Sequence, residues 1–246
     1  MILRQTKIVC TIGPASESKE MMSNLAHAGM NIARLNFSHG DHEEHLRRIE
    51  LLREVADETG HNIAIMLDTK GPEIRLGTFK NEKEYYTKGE IVKVCKEKIE
   101  GTHERFHIQC PELFDDVKPG NYILVNDGKQ KLTVLENNGE ELTCRVEVTG
   151  PLSSKKGCNV PGVKLSMPFI SEKDASDIRF GCKHNVDFIA ASFVRRAEDV
   201  IQIRNLLIQE GKKYIQIIAK IEIRKGLIIL RPFYLLPMVL WLPVVI

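Results

Sequence analysis

The chain has 246 residues, 43% hydrophobic and 28% charged, a balance that fits one large globular domain or two modest ones and excludes disordered and fibrous classes. A formal net charge of +2 without a basic tail or stripe argues against nucleic acid as a partner. The six cysteines include no C-x-x-C pair, and the apolar run at the start is too short for a secretory signal, so a reduced, cytoplasmic protein is expected.

Residues 7–70 alternate short apolar runs with amphipathic stretches. Ile8 to Ile12 reads as a strand ending in Gly13-Pro14, and a helix capped by Ser16 or Ser18 then runs to Ala28 and stops at Gly29. Met30 to Phe37 is a second strand. Asp41 caps a second helix with Leu46, Ile49, Leu52 and Val55 or Ala56 on one face and a stop at Gly60, and Asn62 to Asp68 is a third strand. Repeated units of this kind predict a parallel sheet or barrel with helices outside.

From about Gly71 to Val163 the pattern changes to short strands separated by turns, among them Asn126-Asp-Gly128 and Asn138-Gly139. Residues 72–165 are therefore expected to form a separate β-rich insert, in which Leu132 to Leu135 and Leu142 to Val148 make a hairpin. After Pro168 the earlier rhythm resumes with a helix from Ser171 to Cys182, a strand Phe188 to Val194, a helix Glu198 to Glu210 and a strand Ile215 to Ile221. The β/α domain (1–71 and 166–222) is interrupted and then continued.

Several residues at these strand ends can carry chemistry. Alternation along the second strand sends Arg34, Asn36 and Ser38 to one face, at the carboxyl end where β/α barrels build their sites; the bland alternative is a solvated strand end. Asp68-Thr69-Lys70-Gly71 offers hard oxygens suited to a cation, or is simply a turn. Lys220 and Glu222 lie two residues apart and share a face, as a pair serving phosphate and metal or as a structural ion pair.

Taken together, Thr6 to Ala15, Asn31-Ile-Ala-Arg-Leu-Asn-Phe-Ser-His-Gly40, Leu67-Asp-Thr-Lys-Gly-Pro-Glu-Ile-Arg75, Ser192-Phe-Val194 and Ile217-Ile-Ala-Lys-Ile-Glu222 closely resemble the pyruvate kinase family over residues 4–222. The resemblance implies an α/β fold, an incomplete TIM (β/α)8 barrel interrupted by an all-β lid, and a glycolytic enzyme moving the phosphoryl group of phosphoenolpyruvate to ADP. It implies Mg2+ or Mn2+ and K+ as cofactors and a homotetramer for intact members, with no assembly of this chain and no membrane partner. On the matching positions, Arg34 holds the transferring phosphate and Lys220 stabilises its developing charge. Asn36, Ser38, Asp68 and Thr69 surround potassium, Glu222 ligates magnesium, and His39, Arg75 and Lys156 contact substrate or nucleotide.

After Glu222 the likeness breaks. The family continues with a sequence of the type NQEGIDNI…SDG…MVARGD, whereas this chain reads IRKGLIILRPFYLLPMVLWLPVVI, without Asp or Glu and with Pro232, Pro237 and Pro243. The run from Pro232 to Ile246 is 15 residues, short of the roughly 20 that span a bilayer, and its prolines break a helix. Codons for DGFMVARGD read one base later encode MVLWLPVVI, which is Met238 to Ile246, so loss of one A after the Glu222 codon accounts for the tail. Residues 223–246 are then an aberrant apolar segment, the family's metal-binding aspartate is replaced by Ile246, and five of eight barrel strands remain, with the first and fifth as open edges. Three readings compete: a pyruvate kinase enzyme, truncated here and expected to be inactive, which the family resemblance supports; a non-catalytic fragment of a disrupted gene, which the tail supports; and a protein that binds a membrane or partner through its apolar C-terminus, which raw hydrophobicity alone supports.

Overall fold

A computed structural model of the protein describes residues 6–222 and 239–241. It divides into two compact units, one made of the described residues up to Pro72 and from Phe169 onward, the other of Glu73–Pro168.

In the first unit the strands β1 (Ile8–Ile12), β2 (Met30–Asn36), β3 (Ala64–Asp68), β13 (Phe188–Ala191), β14 (Gln216–Lys220) and β15 (Val239–Trp241) form one sheet in that order. All pair in parallel. Parallel neighbours, with helices following β1, β2 and β13 and preceding β13, make the wall of an incomplete TIM-like barrel, an α/β fold. The helices are α1 (Lys19–Ala28), α2 (His42–Thr59), α4 (Glu172–Lys183) and α5 (Ala197–Gln209).

Their ends follow local chemistry. Ser18 caps α1 by accepting from Met21 N, and Gly29 ends it at φ 106°; Asp41 caps α2 by accepting from Glu44 N, and Gly60 ends it at φ 68°. Ser171 and Asp174 form a reciprocal capping box on α4. On α2, Ile49, Leu52 and Val55 are buried, each side chain contributing about 1.5–3 kcal/mol. Leu46 was expected on that face but is half-buried; His45 fills the position, because Phe37 lies against its ring, centroids 3.8 Å apart.

The core of this unit lies between sheet and helices, with Leu35, Leu67, Ile189 and Ile217 against Ile49, Ile178 and Ile203. A smaller cluster, Met66, Ala190 and Ile218 with Trp241 packed on it, uses the alternate strand positions and so lines the opposite face.

One expectation is overturned. The fifth barrel strand, β14, is not an open edge: Ile218, Ala219 and Lys220 pair with Val239, Leu240 and Trp241, and Ile221 N donates to Trp241 O at 2.9 Å. Three apolar residues of strand-forming type meet the backbone groups that an edge strand leaves unpaired. The remainder of the predicted tail, including its three prolines and Ile246, lies outside the described residues.

The second unit contains β4 (Ile74–Arg75), β5 (Lys83–Tyr86), β6 (Ile91–Cys95), β7 (Arg105–His107), a short helix α3 (Leu113–Asp116), β8 (Tyr122–Val125), β9 (Gln130–Asn137), β10 (Glu141–Val146), β11 (Gly150–Ser153) and β12 (Gly157–Asn159). Its main sheet has the order β4-β12-β8-β9-β10-β6-β7, with β11-β5 as a separate pair. The hairpin at Asn138-Gly139 is β9 with β10, and Gly139 takes φ 89°, a backbone state glycine adopts without penalty. Alternating Leu132, Val134, Leu142 and Cys144 fill the core of this unit. Among the described residues no helix is long and apolar enough to cross a membrane.

Candidate functional site

The carboxyl ends of β2, β3 and β14 bring together residues far apart in sequence. Register places Asn36 beside Asp68 and Thr11 beside Arg34. Asp68 is the hub: its Oδ2 accepts from Arg34 Nε at 2.7 Å and Nη2 at 2.5 Å, and its Oδ1 accepts from Lys220 Nζ at 3.0 Å. Arg34 Nη1 donates to Thr11 Oγ1 at 2.8 Å. Asp68 and Lys220 are buried, at 1% and 7% exposure, so each charge depends on the other; removing one partner of such a pair costs several kcal/mol.

Lys220 is held from two further sides. It donates to Ser192 Oγ at 2.8 Å and lies 3.3 Å from Glu222 Oε1. Glu222 Oε2 accepts from Phe193 N at 3.0 Å, and Phe193 holds φ 56°, an unfavourable state for a bulky residue of the kind that gathers at functional sites. Ser192 is a site residue that its type and position alone do not announce. Its Oγ also donates to Thr69 O at 2.6 Å and its N to Thr69 Oγ1 at 3.2 Å; the available signal is a hydroxyl at the end of a strand. The turn after β3 can lie this close because Gly71, at φ 69°, has no Cβ; one would stand 2.7 Å from Ser192 O.

Ser38 and His39 follow β2 in a turn rather than continuing the strand. Ser38 N donates to Asn36 Oδ1 at 3.1 Å. The turn is fastened from two helices: Lys173 Nζ donates to Phe37 O at 2.9 Å, and His45 Nε2 lies 2.9 Å from His39 O. Burial holds the His45 imidazole below its ordinary pKa, against the pull of that hydrogen bond.

Of the predicted site residues, Arg34, Asp68, Lys220 and Glu222 are joined by direct contacts, with Asn36, Ser38, His39 and Thr69 on adjoining backbone. Arg75 and Lys156 belong to the second unit. Arg75 pairs with Glu73 at 2.7 Å and donates to Lys155 O, while Lys156 O accepts from Leu76 N, so these two residues flank one strand pair.

Asn36, Ser38, Asp68 and Thr69 bring oxygens, one pair of them a carboxylate, to the ends of β2 and β3, and such oxygens are donors of the type that hard cations take. Asn36 Oδ1 and the Asp68 oxygens retain lone pairs beyond the bonds above. Glu222 supplies a second carboxylate on the far side of Lys220. Among the described residues no group of three or more His, Cys, Asp or Glu is placed to hold a metal ion.

The family described as pyruvate kinase, barrel domain, matches residues 3–232. Proteins named pyruvate kinase from Staphylococcus epidermidis are 53% identical over 227 residues, 92% of this chain and 39% of the relative. Those from Staphylococcus haemolyticus and Staphylococcus aureus are 52% identical over the same shares. The chain thus spans about two fifths of the length of the curated relatives it matches.

Proposed function

This chain belongs to the pyruvate kinase family, and on that premise we propose that its parallel unit carries the phosphoryl-holding part of a site that transfers phosphate from phosphoenolpyruvate to ADP. The observation that carries the reading is the convergence of Arg34 and Lys220 on Asp68 at the carboxyl ends of β2, β3 and β14. Phosphoryl transfer depends on position and fixed positive charge more than on covalent catalysis, and two buried or half-buried cations oriented by one carboxylate supply that charge with little reorganisation. Arg34 binds the phosphoryl oxygens. Lys220 stabilises the charge that develops as the bond from phosphorus to the enol oxygen breaks and the bond to the terminal phosphate oxygen of ADP forms.

Asn36, Ser38, Asp68 and Thr69 would hold potassium and Glu222 would contribute to magnesium; the ions supply further positive charge against phosphate when bound. His39, Arg75 and Lys156 contact substrate or nucleotide, and Glu73–Pro168 acts as a lid that excludes water. With its reading frame restored, the enzyme would work in the cytoplasm, at the last phosphoryl transfer of glycolysis.

The 246-residue chain by itself has no measurable turnover, because the segment after Glu222 provides no carboxylate to share the divalent ion with it. It is then a non-catalytic product of a shifted reading frame. The test is turnover of phosphoenolpyruvate and ADP, coupled to lactate dehydrogenase, by this chain and by the product of a gene with one A reinserted after the Glu222 codon. Activity is expected only from the second, in potassium and not in sodium, and it should fall at least ~100-fold in Arg34→Gln. Robust magnesium-dependent turnover by the unmodified chain would sink the inactive reading; equal rates in sodium would sink the potassium assignment.

A further inference from the structure

We propose that Trp241 is a built-in occluder of the Arg34 and Lys220 anion site, so that a phosphoryl group is accepted only when the indole leaves. The inference rests on the reading of Arg34 and Lys220 as phosphoryl holders. Trp241 is not among the residues that reading assigns to the site, and it reaches the site because β15 adds to β14 in the register that sets Trp241 beside Lys220. Its ring centroid lies 5.6 Å from Lys220 Nζ and 5.8 Å from Arg34 Cζ. The ring rests on Met66, Ala190 and Ile218, so apolar packing and two cations fix one indole.

The donors of the two cations already have protein partners. Lys220 faces Asp68, Ser192 and Glu222, and Arg34 faces Asp68 and Thr11. An aromatic face attracts cations by its quadrupole, and here it takes up charge that a phosphoryl group would otherwise meet. A trianionic phosphate ester and the neutral indole compete for the same two cations. The anion interacts more strongly, but it must displace a packed side chain to do so, which lowers its apparent affinity by the fraction of chains in which the ring is withdrawn.

The experiment is calorimetric titration of phosphoenolpyruvate into the full 246-residue protein and into Trp241→Ala and Trp241→Leu, each checked for native circular dichroism. Both substitutions are expected to tighten binding roughly tenfold, the scale of two cation–π contacts. Unchanged or weaker binding in folded variants overturns the occlusion. Arg34→Gln placed in the Trp241→Ala background separates the two layers: loss of binding upholds the phosphoryl reading whatever Trp241 does, whereas undiminished binding overturns that reading and the occlusion with it. Should neither Trp241 variant fold, the unmodified chain still decides the matter, since Trp241 is its single tryptophan. Saturating phosphoenolpyruvate should raise acrylamide quenching of its fluorescence, and unchanged or reduced quenching overturns the proposal.

Discussion

In the parallel unit Asp68, Asp174, Asp177, Asp199 and Lys220 are buried, whereas the buried polar side chains of the all-β unit are the uncharged amide of Gln130 and the imidazole of His107 among its described residues. The charges of the all-β unit sit on its surface, as in Lys93 with Glu141 across β6 and β10. Burying a charge is unfavourable unless a partner meets it, so a unit that buries five has a specific use for each. Asp174, in the first turn of α4, accepts from Ser171 N and also from Gly71 N in the turn after β3, and Asp199, in the first turn of α5, accepts from Arg195 N. Asp177 binds Lys173 and His42 and so braces the turn after β2. Among these five, only Asp68 and Lys220 meet at strand ends, where the proposed site lies.

The sharpest way to break this contrast is to remove one buried charge. Asp68→Ala leaves Lys220 buried without its principal partner and should destabilise the protein by roughly 3–5 kcal/mol, read from urea unfolding. Glu141→Gln in the all-β unit removes an ion pair whose lysine is exposed and whose carboxylate is half-buried, and should cost under about 1 kcal/mol. Similar losses from both would mean that burial is not what separates the units.

A smaller effect is expected at helix starts. Ser171→Ala removes the side chain that receives Asp174 N at 3.0 Å and should cost about 1 kcal/mol by thermal or urea unfolding. Glu112→Ala should cost nothing comparable, because Glu112 precedes α3 without a side-chain cap bond. Limited proteolysis sharpens the same comparison structurally. Cuts should fall first near residues 72 and 165, and rapid cutting at Asn138-Gly139 would count against an independently folded insert.

The smallest effect concerns pH. Burial depresses the His45 pKa below its usual 6.5, so the unfolded chain binds this proton more readily than the folded one. The stability held by the neutral ring is therefore complete above about pH 6.5 and is lost as pH falls through the lower folded value. In His45→Gln the slope of unfolding free energy against pH should flatten below 6.5. An unchanged slope would assign the acid sensitivity to other groups.

Much of this protein is legible along the chain. Periodicity and caps locate α1 and α2 because Ser18, Gly29, Asp41 and Gly60 act through backbone groups only a few residues away. Two-residue alternation puts Arg34 opposite Leu35 and Lys220 alongside Glu222, and the turn at Asn138-Gly139 predicts its hairpin, since strand geometry is local too. The motif residues also point to the family. What pairs with what is another matter. That Asp68 takes both Arg34 and Lys220, that Ser192 closes the ring of polar contacts, and that His45 rather than Leu46 fills the buried face of α2 all depend on which strands and helices become neighbours. Trp241 marks the limit most clearly: its segment reads as stray apolar chain, and only an unpaired backbone edge on β14, produced by the sheet order, gives it a place above two cations. Local sequence determines conformations whose partners are near in the chain; contacts between separate strands and helices are decided by packing and register, which exist only once the sheet has formed.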